Sequence, residues 1–308
     1  MHTPTTPNAA TPNPQQLREL YRRPLWKPVV QSAVNLAAYA ALAALAIGTA
    51  AWPLKALAWA GMGLLLAGCV NVAHDCLHST HLDSRRANRV AGSLWCAPAL
   101  VNFSLFRHSH LLHHRYTLVP GDPEPHAPIT SVTGYLRRVF VHNPFAPPLR
   151  NTRKVFGAAS ATLPDAVRRP GRRDAAVVCA WLALMAGLTA LHPLALVQAY
   201  WIPLLLMHPL ITLTALPEHH DRQPSADVFT STGSVVSNAI LRHAMWSGGF
   251  HAEHHFNPGV PSCNLLALHA AIRAGRTHSE PSYVRYHFRL VRQLIKPDAP
   301  FTSATKQP

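Results

Sequence analysis

Long apolar runs alternate along this chain with basic, histidine-bearing stretches. Four of the runs approach or exceed the roughly 20 predominantly apolar residues that a helix needs to cross a bilayer. Residues 29–51 and 194–216 contain no charged side chain. Residues 54–73 carry only Lys55, near their start, where a lysine can reach the interface along its own aliphatic stem. Residues 175–191 are shorter, at the lower limit for a span. Tight turns at Trp52-Pro53 and His192-Pro193 join the runs in pairs, so the pattern predicts two helical hairpins. A fifth uncharged run, residues 90–106, is interrupted by Pro98 and reads as an interfacial or re-entrant helical hairpin broken near that proline. The first run lacks a small-residue cleavage pattern and is expected to stay as a permanent helix. The Pro-, Thr- and Asn-rich segment before it, within residues 1–28, is expected to be disordered and cytoplasmic.

Composition narrows the class. Hydrophobic residues make up 48% and charged residues 13%, the latter about half the usual share. Lys and Arg number 28 against 13 Asp and Glu, a formal net charge of +15. Such a balance fits a nucleic-acid binder or a membrane protein with basic loops, and the apolar runs decide for the membrane. The basic residues follow the topology: four precede the first span, fourteen lie between His74 and Arg173, none separates the third and fourth spans, and nine follow Leu216. The positive-inside rule then places both termini and the central loop in the cytoplasm. Five cysteines (69, 76, 96, 179 and 263) form no Cys-x-x-Cys pair and read as reduced, buried thiols.

Histidine carries the candidate chemistry. Three tight groups, His74-Asp-Cys-Leu-His78, His110-Leu-Leu-His113-His114 and His251-Ala-Glu-His254-His255, stand with a Glu218-His219-His220 run among 21 histidines. Spacings of i, i+3 and i+4 put side chains on one helix face, so each group can aim its rings at one point. Eight imidazoles exceed what a single zinc ion uses and suggest a polynuclear centre. On the charge-derived topology all four groups fall on the cytoplasmic face. No His-Glu-x-x-His motif is present, which argues against a zinc hydrolase. Asp75, Glu218 and Glu253, adjacent to these histidines, are candidates for orienting ligand rings, and Asp122 and Glu124 follow the second group. His208, within the fourth run beside Pro209, reads as a neutral histidine bonded to a neighbouring helix. The remaining histidines (2, 126, 142, 192, 243, 269, 278 and 287) read as solvated or locally bonded.

The three boxes, in order and with the flanking HHRYTLVPGDPEP and HHFNPGVP, resemble those of the membrane fatty acid desaturase superfamily of bacterial type. The resemblance covers about residues 70–262, and hydropathy extends it to residue 29. It implies an all-α membrane protein: four transmembrane helices in two hairpins, with a cytoplasmic helical cap (74–173 and 217–290) holding a dinuclear iron site, and a C-terminal tail at 291–308. Carried over box by box, the metal ligands would be His74, His78, His110, His113, His114, His251, His254 and His255. The ninth would be His219, with His220 one residue away as the rival; His81 and His108 flank the boxes and could substitute in another register. The implied reaction is the O2-dependent introduction of a double bond into a fatty acyl chain, in a bacterial inner membrane. Electrons would come from an external carrier such as a ferredoxin, since no cytochrome b5-like or flavin-binding motif occurs. The alternative is a diiron hydroxylase or ketolase acting on a carotenoid, sterol or alkane, which the same ligands would serve. A metal transporter would spread histidines along the spans or over both faces, and no motif supports nucleic-acid binding.

Overall fold

The computed structural model describes residues 12–124, 127–141, 145–272 and 278–296. His2, His126, His142, the first eleven residues and the tail beyond residue 296 lie outside these. The described residues are overwhelmingly helical, and the chain divides into two compact units. One comprises residues 25–109 and 142–211, the other residues 1–24, 110–141 and 212–308.

The first of these units holds most of the apolar mass. Helices α2 (Trp26–Gly48) and α3 (Trp52–Leu77) form a hairpin packed through Ala46, Ala58 and Met62, with Tyr39, Leu42 and Trp59 against them. A second pair of long helices follows. Helix α8 (Asp165–Leu191) leads through the one-turn α9 (Pro193–Leu196) and a π-helical turn (Val197–Trp201) into α10 (Ile202–His219). Trp201 Nε1 donates to Thr189 Oγ1 at 2.8 Å and Trp181 Nε1 to Tyr200 Oη at 2.9 Å, which ties the pair together. The π turn widens the backbone ladder, and within it the Ala199 carbonyl accepts from Tyr39 Oη of α2 at 2.7 Å. Four helical stretches are long and apolar enough to cross a membrane: Trp26–Gly48, Trp52–Leu77, Asp165–Leu191 and Pro193–His219. Lys55 extends to Gln198 Oε1 at 3.1 Å, so its charge is solvated by a side chain as well as by the interface.

The run at residues 90–106 is broken where Pro98 predicts. Helix α4 (Arg85–Cys96) ends in a single 3-10 turn (Ala97–Ala99), Leu100 takes a left-handed φ of 57°, and α5 (Phe103–Tyr116) begins a new direction. The third span starts earlier than its hydropathy suggests. Helix α8 includes the polar segment from Asp165, with Pro170 inside it, and Asp174 within that segment has strong partners on α4 and α5. Its buried carboxylate accepts from Arg89 NH2 at 2.9 and 3.0 Å, Ser93 Oγ at 2.8 Å, and Ser104 N and Oγ at 2.8 and 2.5 Å. One aspartate thereby fastens α4 and α5 to α8.

The other unit begins with a departure from the expected disorder of residues 1–28. Pro14–Leu20 form helix α1, because Asn13 and Gln16 make a reciprocal capping box and Pro14 opens the helix. Leu20 is then buried against Phe229, Phe250, Val260 and Leu268. Helices α6 (Val132–Phe140) and α15 (Tyr283–Ile295) pack with Leu216 through Tyr135, Val139, Tyr286 and Leu290. The short helices α11 (Val228–Ser231), α12 (Ala239–Ala244), α13 (His251–Phe256) and α14 (Leu265–Ala271) complete the unit. A two-residue parallel pairing joins β1 (Ser234–Val235) to β2 (Ser279–Glu280). Gly249 lets β1 approach α13: a Cβ there would lie 2.5 Å from the Val235 carbonyl and 2.7 Å from Tyr283 Oη.

His287 is locally bonded. Its Nε2–H donates to the Leu213 carbonyl at 2.7 Å, and Tyr135 Oη donates to Nδ1 at 3.1 Å. Burial holds its pKa below the ordinary 6.5, partly opposed by the Leu213 carbonyl. The ring is therefore neutral when folded and readily protonated when unfolded, so its contribution is complete above about 6.5 and is lost as pH falls. Melting temperature, followed by fluorescence in detergent, should decline on acidification below that pH, and His287→Gln should flatten the decline.

Candidate metal centre

Helix geometry gathers seven histidines within one unit. Helix α5 presents His110, His113 and His114 at i, i+3 and i+4, α13 presents His251, His254 and His255 at the same spacing, and α10 delivers His219 at its C-terminal end. His113, His219, His251 and His255 are all buried, and their ligand atoms lie within 4.8 Å of one another. His113 Nε2 lies 3.0 Å from His219 Nε2, which is 2.9 Å from His251 Nε2. A second set joins His114 Nε2 to His110 Nε2 at 2.8 Å and to His254 Nε2 at 2.9 Å.

The far sides of the rings fix the tautomers. His113 Nδ1 lies 3.0 and 3.1 Å from the two oxygens of Asp122. A carboxylate accepts, so Nδ1–H donates and the neutral ring turns a bare Nε2 lone pair inward. His219 Nδ1 likewise donates to the Ser231 carbonyl at 3.0 Å, leaving its Nε2 bare. Two lone pairs facing each other at 3.0 Å repel; a cation among them turns the contact into ligation. His255 supplies a further indication, for its buried Nε2 has no hydrogen-bond partner among the described residues. Burial, reinforced by His114, His251, His219 and His113, holds the His255 ring neutral by pushing its pKa well below the ordinary value. Bare, buried, converging imidazole nitrogens backed by a carboxylate and a carbonyl are the donor arrangement of a metal site. They fit iron, which imidazole suits along with zinc, copper and nickel.

Asp122 is itself held in place. Leu118 N donates to it at 2.9 Å and Glu124 N at 3.0 Å, with Leu118 in a left-handed φ of 63°. Burial opposes its ionisation, but these N–H groups and the His113 ring outweigh burial and keep the carboxyl below its usual range. Of the acidic residues singled out from sequence, Glu218 reaches within 3.7 Å of His251 Nδ1. Asp75 is buried at the end of α3. Glu253 accepts from Ser234 Oγ and His269 Nδ1, each at 2.5 Å. Position i+2 of α13 faces about 200° away from His251, which carries the carboxylate toward these two partners. No motif pointed to the Ser231 carbonyl, Ser234 or His269 in these roles. Only Asp122, a short loop beyond the second box, could have been proposed from its position.

His74 and His78 lie in the other unit, at the end of α3, with ring centroids 5.1 Å apart and edges toward faces. His220 stands apart from the seven clustered rings and meets Tyr286, with centroids 6.3 Å apart. His81 is buried, which pushes its pKa down to about 4, and neither it nor His108 joins a candidate metal-binding group among the described residues.

A family model described as fatty acid desaturase matches residues 50–289, most of the chain and all of the histidine groups. The chain belongs to the fatty acid desaturase family. Its similarity to individual desaturases is distant. It is 25% identical to a chloroplastic omega-6 fatty acid desaturase of Brassica napus over 282 residues, covering 84% of this chain and 62% of that one. It is 26% identical to a probable fatty acid desaturase of Sorghum bicolor, covering 83% and 73%. With the dihydrorhizobitoxine desaturase of Bradyrhizobium elkanii it shares 27% identity, covering 72% and 69%. The chain thus spans about three fifths of the Brassica napus desaturase, and its match to a second omega-6 enzyme, from Glycine max, covers 26% of that protein.

Proposed function

We propose that this chain is an O2-dependent membrane desaturase that introduces a double bond into a fatty acyl chain. In this reading His74, His78, His110, His113, His114, His219, His251, His254 and His255 hold two iron ions. The observation that carries it is the convergence of bare Nε2 atoms, set by Asp122 and Ser231, in a member of the desaturase family. When bound, the irons supply the redox chemistry by which dioxygen removes two hydrogens from adjacent methylenes. The protein's part is to fix the rings. Asp122 and the Ser231 carbonyl hold their donor atoms inward, while Ser234 and His269 immobilise Glu253 and with it the helix bearing His251, His254 and His255. The apolar helices place the lipid substrate, and an external carrier such as a ferredoxin delivers the electrons. The basic loops orient the centre toward the cytoplasmic face of a bacterial inner membrane.

Mass spectrometry of lipids from cells expressing the chain or its His254→Ala variant tests this. Wild-type-specific loss of two hydrogens from acyl chains is the expected result. Gain of an oxygen would replace desaturation by hydroxylation, and an unchanged profile from iron-loaded, donor-supplied protein would overturn the reading.

A further inference from the structure

A second polar cluster, centred on Arg222, lies beside the histidine centre and borders the same His219. Arg222 is 8% exposed, and its guanidinium lies on the backbone of Gly233, where a Cβ would come within 2.9 Å of it. An arginine offers five N–H donors and keeps its charge when buried, yet Nε of Arg222 has no hydrogen-bond partner among the described residues. Three further buried atoms around it lack one: His220 Nδ1, His278 Nδ1 and Tyr286 Oη. All three side chains are close enough to feel the Arg222 charge. Four unmet polar groups around one guanidinium are far from the rule that buried donors find acceptors.

The nearby carboxylates do not fill this role. Glu280 is paired with Arg289, and Asp221 is exposed and makes no ion pair among the described residues. A cavity of about 450 Å³ opens beside the cluster. Arg222, His219, His220, Asp221 and Thr130 line its polar side, and Leu118, Ile129 and Leu290 belong to its apolar wall.

We propose that this cavity binds an oxyanion, a phosphate or carboxylate group whose oxygens accept from Arg222 and His220, the two members of the cluster that line it. A guanidinium suits such a group because two parallel N–H donors match two oxygens. A free ion would use only the polar side, whereas the headgroup of an acyl amphiphile would also cover the leucine wall. His219 also lines the cavity, so the test reads binding directly and uses no turnover.

The full chain, purified in a neutral detergent, is titrated with inorganic phosphate, with a single-chain acyl glycerol phosphate, and with the matching acyl glycerol that lacks the phosphate. Calorimetry and melting temperature are both read. An oxyanion should bind and raise the melting temperature while the acyl glycerol does not. Binding of inorganic phosphate as strong as that of the amphiphile identifies a free ion; preference for the amphiphile identifies a headgroup. Arg222→Gln should weaken binding by about tenfold or more. His220→Asn should weaken it severalfold, and serves if the arginine variant fails to fold. The proposal is overturned if neither oxyanion binds, if the acyl glycerol binds as well as its phosphate, or if both variants bind like wild type.

Discussion

Replacing His113 with alanine should give a protein that inserts and extracts normally but retains less metal and forms no product. His113 is fully buried, and its Nε2 stands 3.0 Å from that of His219, at the centre of the tighter histidine group. Removing it deletes a donor that no neighbour replaces, since the remaining rings sit on fixed helical faces. Asp122→Asn provides the graded counterpart. It keeps the shape of the side chain but removes the charge that selects the His113 tautomer, a change that ordinarily costs about 10–100-fold in metal affinity or activity. Metal content by mass spectrometry and lipid analysis should therefore rank wild type above Asp122→Asn and Asp122→Asn above His113→Ala. Full metal retention and wild-type turnover in His113→Ala would remove that ring from the centre.

The second large effect is on stability. Asp174→Ala should destabilise the chain by about 3 kcal/mol, the low end for breaking a buried ion pair, because Arg89 keeps some access to water. The loss is spread over three helices, since Ser93 and Ser104 share the same carboxylate. Asp174→Asn, which can still accept from Ser104 N, should lose less. Thermal unfolding in detergent and the yield of monodisperse protein report the difference. Wild-type stability in the alanine variant would show that the network contributes little.

These effects also mark what was legible in the sequence. Hydropathy located the spans because a lipid-facing helix must be apolar along nearly its whole length, and Pro98 located the break between α4 and α5. The histidine boxes located the converging rings because i, i+3, i+4 spacing is itself a statement about a helix face. What escaped depends on contacts distant along the chain. The tie from Asp174 to Arg89 spans 85 positions, and it sits in a polar segment of α8 that hydropathy assigns to the loop. The backbone carbonyl of Ser231 has no residue signature at all. The partners of Glu253, Ser234 and His269, likewise lie 19 and 16 positions away. Helix α1 was obscured by the Pro- and Thr-rich composition before it, although Asn13, Pro14 and Gln16 spell its cap.

The two helices of the first hairpin differ in what surrounds them. In the most apolar stretch of α2 only 6% of residues are buried within the protein, against 44% in α3. Gly63 of α3 makes the contrast sharper: a Cβ there would meet the Pro203 carbonyl at 3.0 Å and Leu206 at 3.2 Å. Mutational damage in the two helices is therefore of two kinds. Along α2, away from Tyr39, Leu42 and Ala46, almost any apolar residue is interchangeable, and harm comes from a charge, at about 3 kcal/mol near the helix centre, during insertion. Such a variant fails in biogenesis and is lost as protein. Along α3 even an added methyl group is felt, so its variants reach the membrane and fail there, as mispacked protein.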